Sequence, residues 1–231
     1  MMIRNVLFYL AVIPATFFFT LAGSLLFWAP FKVRYRVITA WSHYFIFCAK
    51  ILGGLRYRVE GLENLPSTHA IVLSNHQSMW ETIFMQVLLP PQTWVLKKEL
   101  FYIPLFGWGL ALLEPIAIHR KQFNSAKELM TQGIERLKKG RWVVIFPEGT
   151  RVAPNTVGRF SRSAAALAEA SQVPVVPIVH NAGAFWPRGF AIKRSGTIVV
   201  KIGPMIDSKG KTAIEINDLA RDWIAAHLPA P

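Results

Sequence analysis

A histidine and a glutamate lie five positions apart in the stretch SNHQSMWETIF, residues 74–84. His76 and Glu81 directly follow the apolar run AIVL, so they are expected where a buried strand ends and a helix begins. A carboxylate that contacts an imidazole fixes its tautomer and raises its basicity, as a general base requires. Alternatively, Ser78 and Glu81 have the spacing of a helix capping box, which would stabilise the helix start without any chemistry. The two interpretations are compatible, because a short loop can bring Glu81 near both groups.

A second polar stretch, FPEGTR at 146–151, continues the β-branched run WVVI. A Gly149–Thr150 turn exposes backbone N–H groups, and Arg151 offers paired donors, so the stretch suits an anionic oxygen such as that of a phosphate. Taken alone, it could equally be an ordinary β-turn with a surface arginine. The combination of both stretches, about 70 residues apart, is far more specific than either one.

Together the two stretches resemble the lysophospholipid acyltransferases of the glycerol-phosphate acyltransferase superfamily, typified by 1-acyl-glycerol-3-phosphate acyltransferase. The resemblance covers roughly residues 55–203. The N-H-x-x-x-x-D block of that family is NHQSMWE here, with Glu81 in place of the aspartate. The F-P-E-G-T-R block is intact at 146–151, and the V-P-x-x-P block is intact at 173–177.

The family's second block and a later basic block are less well matched. The second block corresponds to KKEL at 97–100, IPLFGWG at 103–109 and IAIHR at 116–120. His119 replaces the usual aspartate, whereas Arg120 keeps the family's arginine. SRSA at 161–164 stands where the family often has a lysine followed by Arg-Gly-Gly or Arg-Gly-Ala, so that basic contribution is weaker. The role of His119 stays open.

The resemblance implies a direct acyl transfer. His76 would remove the proton from a free glycerol hydroxyl of a lysophospholipid, and that oxygen would attack the thioester of acyl-CoA or acyl-carrier protein. Glu81 would orient His76 and stabilise its imidazolium form. No acyl-enzyme is required, which agrees with the absence of a G-x-S-x-G motif from the sequence.

The resemblance also implies which residues bind the acceptor. The phosphate would be held by Arg151, with Arg120 and Lys97. Glu148 and Gly149, with Thr150 in the same turn, would shape the glycerol pocket. The expected partners are the lysophospholipid, the acyl donor as co-substrate and membrane lipids. No cofactor is expected, and the six scattered histidines give no support to a metal site.

Composition and charge indicate a membrane surface. Hydrophobic residues make up 52% of the 231-residue chain, yet 26 Lys and Arg against 13 Asp and Glu leave a formal net charge of +13. Nucleic-acid binders are also basic but are rarely this apolar, so an anionic membrane surface accounts for both properties. A nucleic-acid module is disfavoured, because aromatic and basic residues are not interleaved in a recognisable motif.

Residues 6–30 form an uncharged run about as long as the roughly 20 residues that a helix needs to cross a bilayer. Phe27 and Trp28 stand where a signal peptide would need small residues for cleavage, so we expect the run to be retained. Residues 37–55 form a weaker segment, closer to an interfacial or re-entrant helix. A hairpin that enters one leaflet and a true crossing both stay open.

Three basic residues, Lys32, Arg34 and Arg36, are predicted to form a turn between the two apolar segments. By the positive-inside rule this turn belongs at the cytoplasmic face of the membrane. The catalytic domain is accordingly expected on the cytoplasmic face of the inner membrane.

The rest of the chain alternates strands with helices. Strands are predicted at 70–74, 94–97, 141–146, 173–179 and 196–203, and helices at 79–89, 126–139, 163–171 and 213–228. SAKE at 125–128 is expected to cap one of these helices, and FYIPLFGWG at 101–109 is expected to be a loop or short helix. The pattern predicts an α/β fold, with a mostly parallel central sheet flanked by helices and an N-terminal hydrophobic helical membrane anchor. The predicted parts are the anchor, 1–55, and the α/β acyltransferase domain, 56–231.

The acceptor that the resemblance implies is 1-acyl-glycerol-3-phosphate, which would give phosphatidic acid. Other acceptors stay open, among them lyso-ornithine lipid and glycerol-3-phosphate. A non-catalytic lipid-binding protein on the same scaffold is a further alternative, which the Glu81 and His119 departures keep open.

Overall fold

The structure, a computed structural model, describes residues 1–89, 91–103, 106–119 and 124–230. Its α-helices are α1 (Met2–Leu25), α2 (Phe31–Ile51), α3 (Trp80–Leu88), α4 (Phe106–Leu112), α5 (Ser125–Lys138), α6 (Ser163–Ser171) and α7 (Ala213–Ala226). Its strands are β1 (Leu55–Glu60), β2 (Ile71–Ser74), β3 (Gln92–Lys97), β4 (Ile116–Ile118), β5 (Trp142–Ile145), β6 (Val175–His180) and β7 (Gly196–Ile202).

The seven strands form one sheet in the order β1-β7-β6-β2-β5-β3-β4. Neighbouring strands are parallel except β6 and β7, which are antiparallel. Every residue of β2 and β6 is buried, which explains why both strands read as apolar runs without alternation. The predicted α/β fold with a mostly parallel sheet is confirmed.

Two strands and one helix cap differ from the sequence prediction. β1 and β4 were not predicted, because β1 is an edge strand with three exposed residues in succession and β4 has only three residues. The capping box predicted at 125–128 is wrong, since no side chain caps α5. Glu128 instead accepts hydrogen bonds from the backbone N–H of His119 (2.9 Å) and from its Nδ1 (3.0 Å).

The two N-terminal helices pack against the sheet domain. Phe8 of α1 and Phe45 of α2 are both buried, and their rings lie 5.5 and 5.9 Å from that of Trp186. The basic turn predicted at 32–36 is wrong: α2 already begins at Phe31, after Pro30, so these residues lie in its first two turns. The helices share a hydrophobic core with the sheet, and a domain boundary at residue 55 stays a prediction.

The outward face of α1 is apolar. Among the described residues, α1 is the helix that is long and apolar enough to cross a membrane, and an 18-residue stretch of it has a mean hydropathy of 2.0. Only 22% of that 18-residue stretch is buried, whereas the core helix of a soluble protein would be mostly buried. Large side chains such as Leu10 (66% exposed) and Leu21 (57%) therefore form a surface suited to lipid.

An ion-pair cluster around Glu114 joins α2 to the sheet domain. Glu114 Oε1 lies 3.1 Å from Arg34 of α2, and Oε2 lies 2.9 Å from Arg141, just before β5. Its main-chain carbonyl accepts a hydrogen bond from Arg136 at the end of α5. Burial alone would raise the pKa of Glu114, but Arg141, Arg136 and Lys139 lower it below its ordinary value, so the side chain stays ionised.

Candidate active site

The loop that follows β2 is polar and buried, and it is held in place by its neighbour β6. Asn75 donates to the main-chain oxygen of His180 (2.9 Å) and accepts from its main-chain N–H (3.1 Å). His180 Nε2 in turn donates to the Asn75 carbonyl at 3.0 Å, while Nδ1 accepts from Ala182 N–H at 3.2 Å. These bonds fix the position of the residue that follows Asn75, which is His76.

His180 was not identified from the sequence. Both its ring nitrogens have partners in the neutral Nε2–H tautomer, and its burial lowers its pKa, so the neutral form is favoured. The available signal was its place directly after the predicted strand VPVVPIV, on the sheet edge that also carries His76.

His76 and Glu81 form a close pair. His76 Nδ1 lies 2.8 Å from Glu81 Oε1, and the same oxygen accepts backbone N–H groups from Gln77 (2.9 Å) and Ser78 (2.7 Å). Glu81 therefore both holds the histidine and caps the loop. The other half of the predicted capping box does not form, because the Ser78 hydroxyl accepts from Trp80 N–H instead.

The Glu81 carboxylate is ionised at neutral pH. Its side chain is 1% exposed, and this burial would raise its pKa. The His180 and His76 imidazoles and the Ser78 backbone N–H outweigh that effect, so the pKa of Glu81 lies below its ordinary value. An ionised carboxylate only accepts hydrogen bonds, so His76 Nδ1 carries the proton and Nε2 is left as a base.

The FPEGTR loop clamps His76 from the other side. Glu148 Oε2 accepts the His76 backbone N–H at 2.7 Å, and Val152 N–H donates to the His76 carbonyl at 2.8 Å. The Phe146 ring stacks on the imidazole with centroids 4.5 Å apart. The second Glu148 oxygen accepts from Gly158 N–H at 2.7 Å, so this carboxyl connects two loops to His76.

A cavity of about 660 Å³ opens in front of His76. Of the predicted site residues, His76, Lys97, Thr150 and Arg151 line this cavity. Glu81 lies behind the imidazole, while Glu148 and Gly149 line a different cavity. Arg120 lies outside the described residues. The substrate contacts predicted for all these residues stay predictions.

The far part of this cavity is an apolar space between helices α1, α2, α3 and α4. On α1 its lining runs from Tyr9 to Thr20, about 16 Å along the helix axis. Trp41 and Phe45 of α2 and Leu110 of α4 complete the apolar walls. The sequence indicates a membrane anchor in α1, and the contribution of this helix to the site was not predicted.

Residues 56–181 match the family model described as Acyltransferase, which is more than half of the chain. The chain belongs to the acyltransferase family. It is 46% identical to the 1-acyl-sn-glycerol-3-phosphate acyltransferase of Pseudomonas aeruginosa, over 96% of this chain and 89% of that protein. It is 30% identical to the enzyme of the same name from Saccharomyces cerevisiae, over 94% of this chain and 73% of that one.

A solved acyltransferase has the same fold. The crystal structure of the 1-acyl-sn-glycerophosphate acyltransferase PlsC from Thermotoga maritima superposes with a TM-score of 0.78 at 25% identity, covering 97% of this chain and 94% of that chain. The family resemblance read from the sequence is therefore confirmed, and the protein is an enzyme that transfers acyl groups.

No metal site is formed by the part of the chain that the structure describes, since no group of three or more His, Cys, Asp or Glu side chains is arranged to hold an ion. The only cysteine, Cys48, is buried in α2. That the reaction needs no metal or cofactor stays a prediction.

Proposed function

We propose that this acyltransferase moves a fatty acyl group from acyl-CoA or acyl-carrier protein to the free hydroxyl of 1-acylglycerol-3-phosphate, giving phosphatidic acid. One observation carries the proposal. The His76–Glu81 pair, joined at 2.8 Å, lies on a cavity whose lining combines three cationic residues, Lys97, Arg151 and Arg188, with extensive apolar walls. Such a cavity matches an acceptor with a phosphate head and a long acyl chain.

The chemistry follows from the tautomer of His76. Nε2 takes the proton of the glycerol hydroxyl as that oxygen attacks the thioester carbonyl. A carbon–oxygen ester bond forms and the carbon–sulfur bond breaks, and the proton on Nε2 passes to the leaving thiolate. Glu81 stabilises the imidazolium between these steps, because its buried carboxylate faces Nδ1.

The acceptor's phosphate is proposed to bind Arg151 and Lys97, which both line the cavity. Arg151 has no ion pair or side-chain hydrogen bond with any residue that the structure describes, so its guanidinium is available to an incoming anion. A guanidinium binds phosphate through two parallel hydrogen bonds. Arg120 keeps its predicted role in phosphate binding, and Glu148 acts here by positioning His76.

Membrane association is supported by the exposed apolar face of α1 and by the family of the chain. We place the catalytic site at the lipid surface, because α1 lines the cavity with one face and exposes the other. A lysolipid could then enter the cavity without leaving the bilayer. The cytoplasmic face is part of this proposal, based on the basic residues Lys32, Arg34 and Arg36.

The function is tested with purified protein, a panel of lysolipids and two acyl donors, with products measured by mass spectrometry. We expect phosphatidic acid as the main product, from 1-acylglycerol-3-phosphate. Preferential acylation of lyso-ornithine lipid or of glycerol-3-phosphate would replace the proposed acceptor. If no acceptor is acylated, the protein has a lipid-binding role on the same scaffold.

Arg151→Ala is expected to raise the KM for 1-acylglycerol-3-phosphate by about tenfold or more, because a bidentate charged contact is lost. The KM for the acyl donor should change little. Steady-state kinetics with each substrate varied in turn measures both constants. An acceptor without phosphate, 1-acylglycerol, is the matched control, since its slower reaction should be unaffected by the substitution. Equal rises in both KM values would assign Arg151 to the fold or to the donor.

Replacing Leu10, Phe17 and Leu21 with glutamate should release the protein from liposomes. These side chains are exposed on α1 at 66%, 55% and 57%, and burying a large apolar side chain in lipid is worth about 1.5–3 kcal/mol. Sedimentation with liposomes in high salt measures the effect. Apolar replacements at the same positions, Leu10→Met, Phe17→Leu and Leu21→Met, should still sediment. A glutamate variant that sediments fully would show that another surface binds the membrane.

A further inference from the structure

A second cavity, of about 860 Å³, borders the FPEGTR loop. The two cavities share no lining residue: Phe146, Thr150 and Arg151 line the first, and Pro147, Glu148 and Gly149 line the second. We call the second one the arginine groove. Its remaining walls come from residues 157–162 and from α7.

Three arginines give the groove its charge. Arg159, Arg162 and Arg221 line it, and all three are exposed. Arg159 and Arg162 form no ion pair with any described residue, and Arg221 has only a 3.8 Å contact with its neighbour Asp222. Two acidic residues in the lining oppose this charge: Asp218, and Glu148, whose carboxylate oxygens each accept a backbone N–H group.

A buried amide in the groove lacks a partner. Asn217 of α7 is 6% exposed, and its Oδ1 has no hydrogen bond in the part of the chain that the structure describes. Buried polar side chains are normally hydrogen-bonded, so an unsatisfied one in a cavity wall indicates a ligand. Because Oδ1 accepts, the ligand group that meets it must be a donor, such as a hydroxyl or amino group, and not a phosphate oxygen. The nine-residue helix α6 also begins beside the groove, at Ser163, and helix N-termini attract anions. Its N-cap residue, Arg162, provides no side-chain cap, and Ser161 Oγ accepts the Ser163 N–H at 3.4 Å.

We propose that the arginine groove binds the phosphate groups of the nucleotide part of a coenzyme A thioester. The inference rests on the proposed function and adds a separate donor site to it. The volume of the groove is typical of a small-molecule site, and the three arginines in its lining suit phosphate.

The position of the groove fits a donor that must reach His76. Glu148 lines the groove, and its Oε2 accepts the His76 backbone N–H at 2.7 Å. A nucleotide held in the groove would thus lie beside the side chain that positions His76. The proposal requires the flexible pantetheine arm to carry the thioester past the FPEGTR loop into the first cavity, whose apolar walls suit the acyl chain.

Binding is measured on the full chain in detergent micelles, by calorimetric titration with adenosine 3′,5′-bisphosphate. The wild type should bind saturably. The double variant Arg159→Ala/Arg162→Ala should bind about tenfold more weakly or worse. Asn217→Asp, which keeps the shape and adds a negative charge, should also weaken binding. Arg58→Ala, an exposed arginine on β1, is the matched control and should leave the dissociation constant unchanged.

Two further binding measurements distinguish a nucleotide site from a site for free phosphate or for lipid headgroups. Inorganic phosphate should compete only weakly, and binding to anionic lipid vesicles should be the same for the double variant and the wild type. Kinetically, the double variant should raise the KM for acyl-CoA and leave the KM for the acceptor unchanged.

The proposal is wrong if the wild type does not bind the bisphosphate, or if the double variant binds it as tightly. Loss of vesicle binding alone would assign the arginines to lipid, and a raised KM for acyl-carrier protein alone would assign them to a protein donor. Because binding is read without turnover, these outcomes do not depend on which acceptor the enzyme acylates.

Discussion

His76→Ala should lower kcat for acyl transfer by about 10²- to 10⁴-fold, the usual contribution of a general base. The substitution leaves the glycerol hydroxyl without a proton acceptor on this side of the cavity. Folding should be preserved, because the main-chain bonds of residue 76 to Glu148 and Val152 do not involve the imidazole. Steady-state kinetics and thermal unfolding measure the two effects separately.

A matched control is available at the opposite end of the same strand. His69 lies just before β2, on the sheet edge away from the site, and it does not line the cavity. His69→Ala should retain wild-type turnover. If a folded His76→Ala enzyme keeps more than about a tenth of wild-type kcat, His76 is not the base.

Glu81→Gln should lower kcat by about tenfold or more while changing the melting temperature little. The glutamine oxygen can still accept the N–H groups of Gln77 and Ser78, so the loop stays capped. A neutral amide stabilises the His76 imidazolium less than a carboxylate does, and a loss of about 1.4 kcal/mol corresponds to tenfold. The measurement is kcat beside thermal unfolding.

Glu81→Ala is the contrasting variant, since it removes the cap together with the charge. It should lose both activity and stability. Full activity in Glu81→Gln would show that the residue only caps the loop.

The pH dependence of stability gives a second readout for Glu81. Its pKa is lowered by folding, so ionisation stabilises the folded protein above its ordinary pKa of 4.5, and this contribution is lost as the pH falls through the folded value. Glu81→Gln has no carboxyl group at this position and so lacks this pH-dependent stabilisation. Its stability should therefore fall less steeply than that of the wild type below about pH 4.5.

Elements with strong local patterns were predicted closely. The helix predicted at 163–171 is observed at Ser163–Ser171, and the apolar runs of β2, β5 and β6 were all identified. Such runs are buried on both faces of a parallel sheet, so the composition alone reveals them. β1 was missed because its exposed charged residues hide the strand pattern. It joins the sheet only through β7, which is distant in the sequence and is its one neighbour in the strand order.

The residue types of the site were also evident from the sequence. A histidine and a glutamate at the end of one apolar run, and FPEGTR at the end of another, predict two loops at the carboxyl edge of a sheet. Their proximity follows from β2 and β5 being adjacent parallel strands. The spacing allowed Glu81 to serve both as a cap and as the partner of the histidine, but only the structure shows that a single oxygen, Oε1, does both.

The sequence by itself determined the family, the α/β class, the apolar N-terminal helix and the His76–Glu81 pair, because each is encoded in residues close together along the chain. Only the tertiary structure decided what depends on distant segments meeting. It brought Glu148 onto the backbone of His76, His180 behind Glu81, and α1 into the wall of the cavity. The physical reason is that these contacts join residues far apart in the sequence, 72 positions in the case of His76 and Glu148, through packing of strands and helices that no local periodicity records.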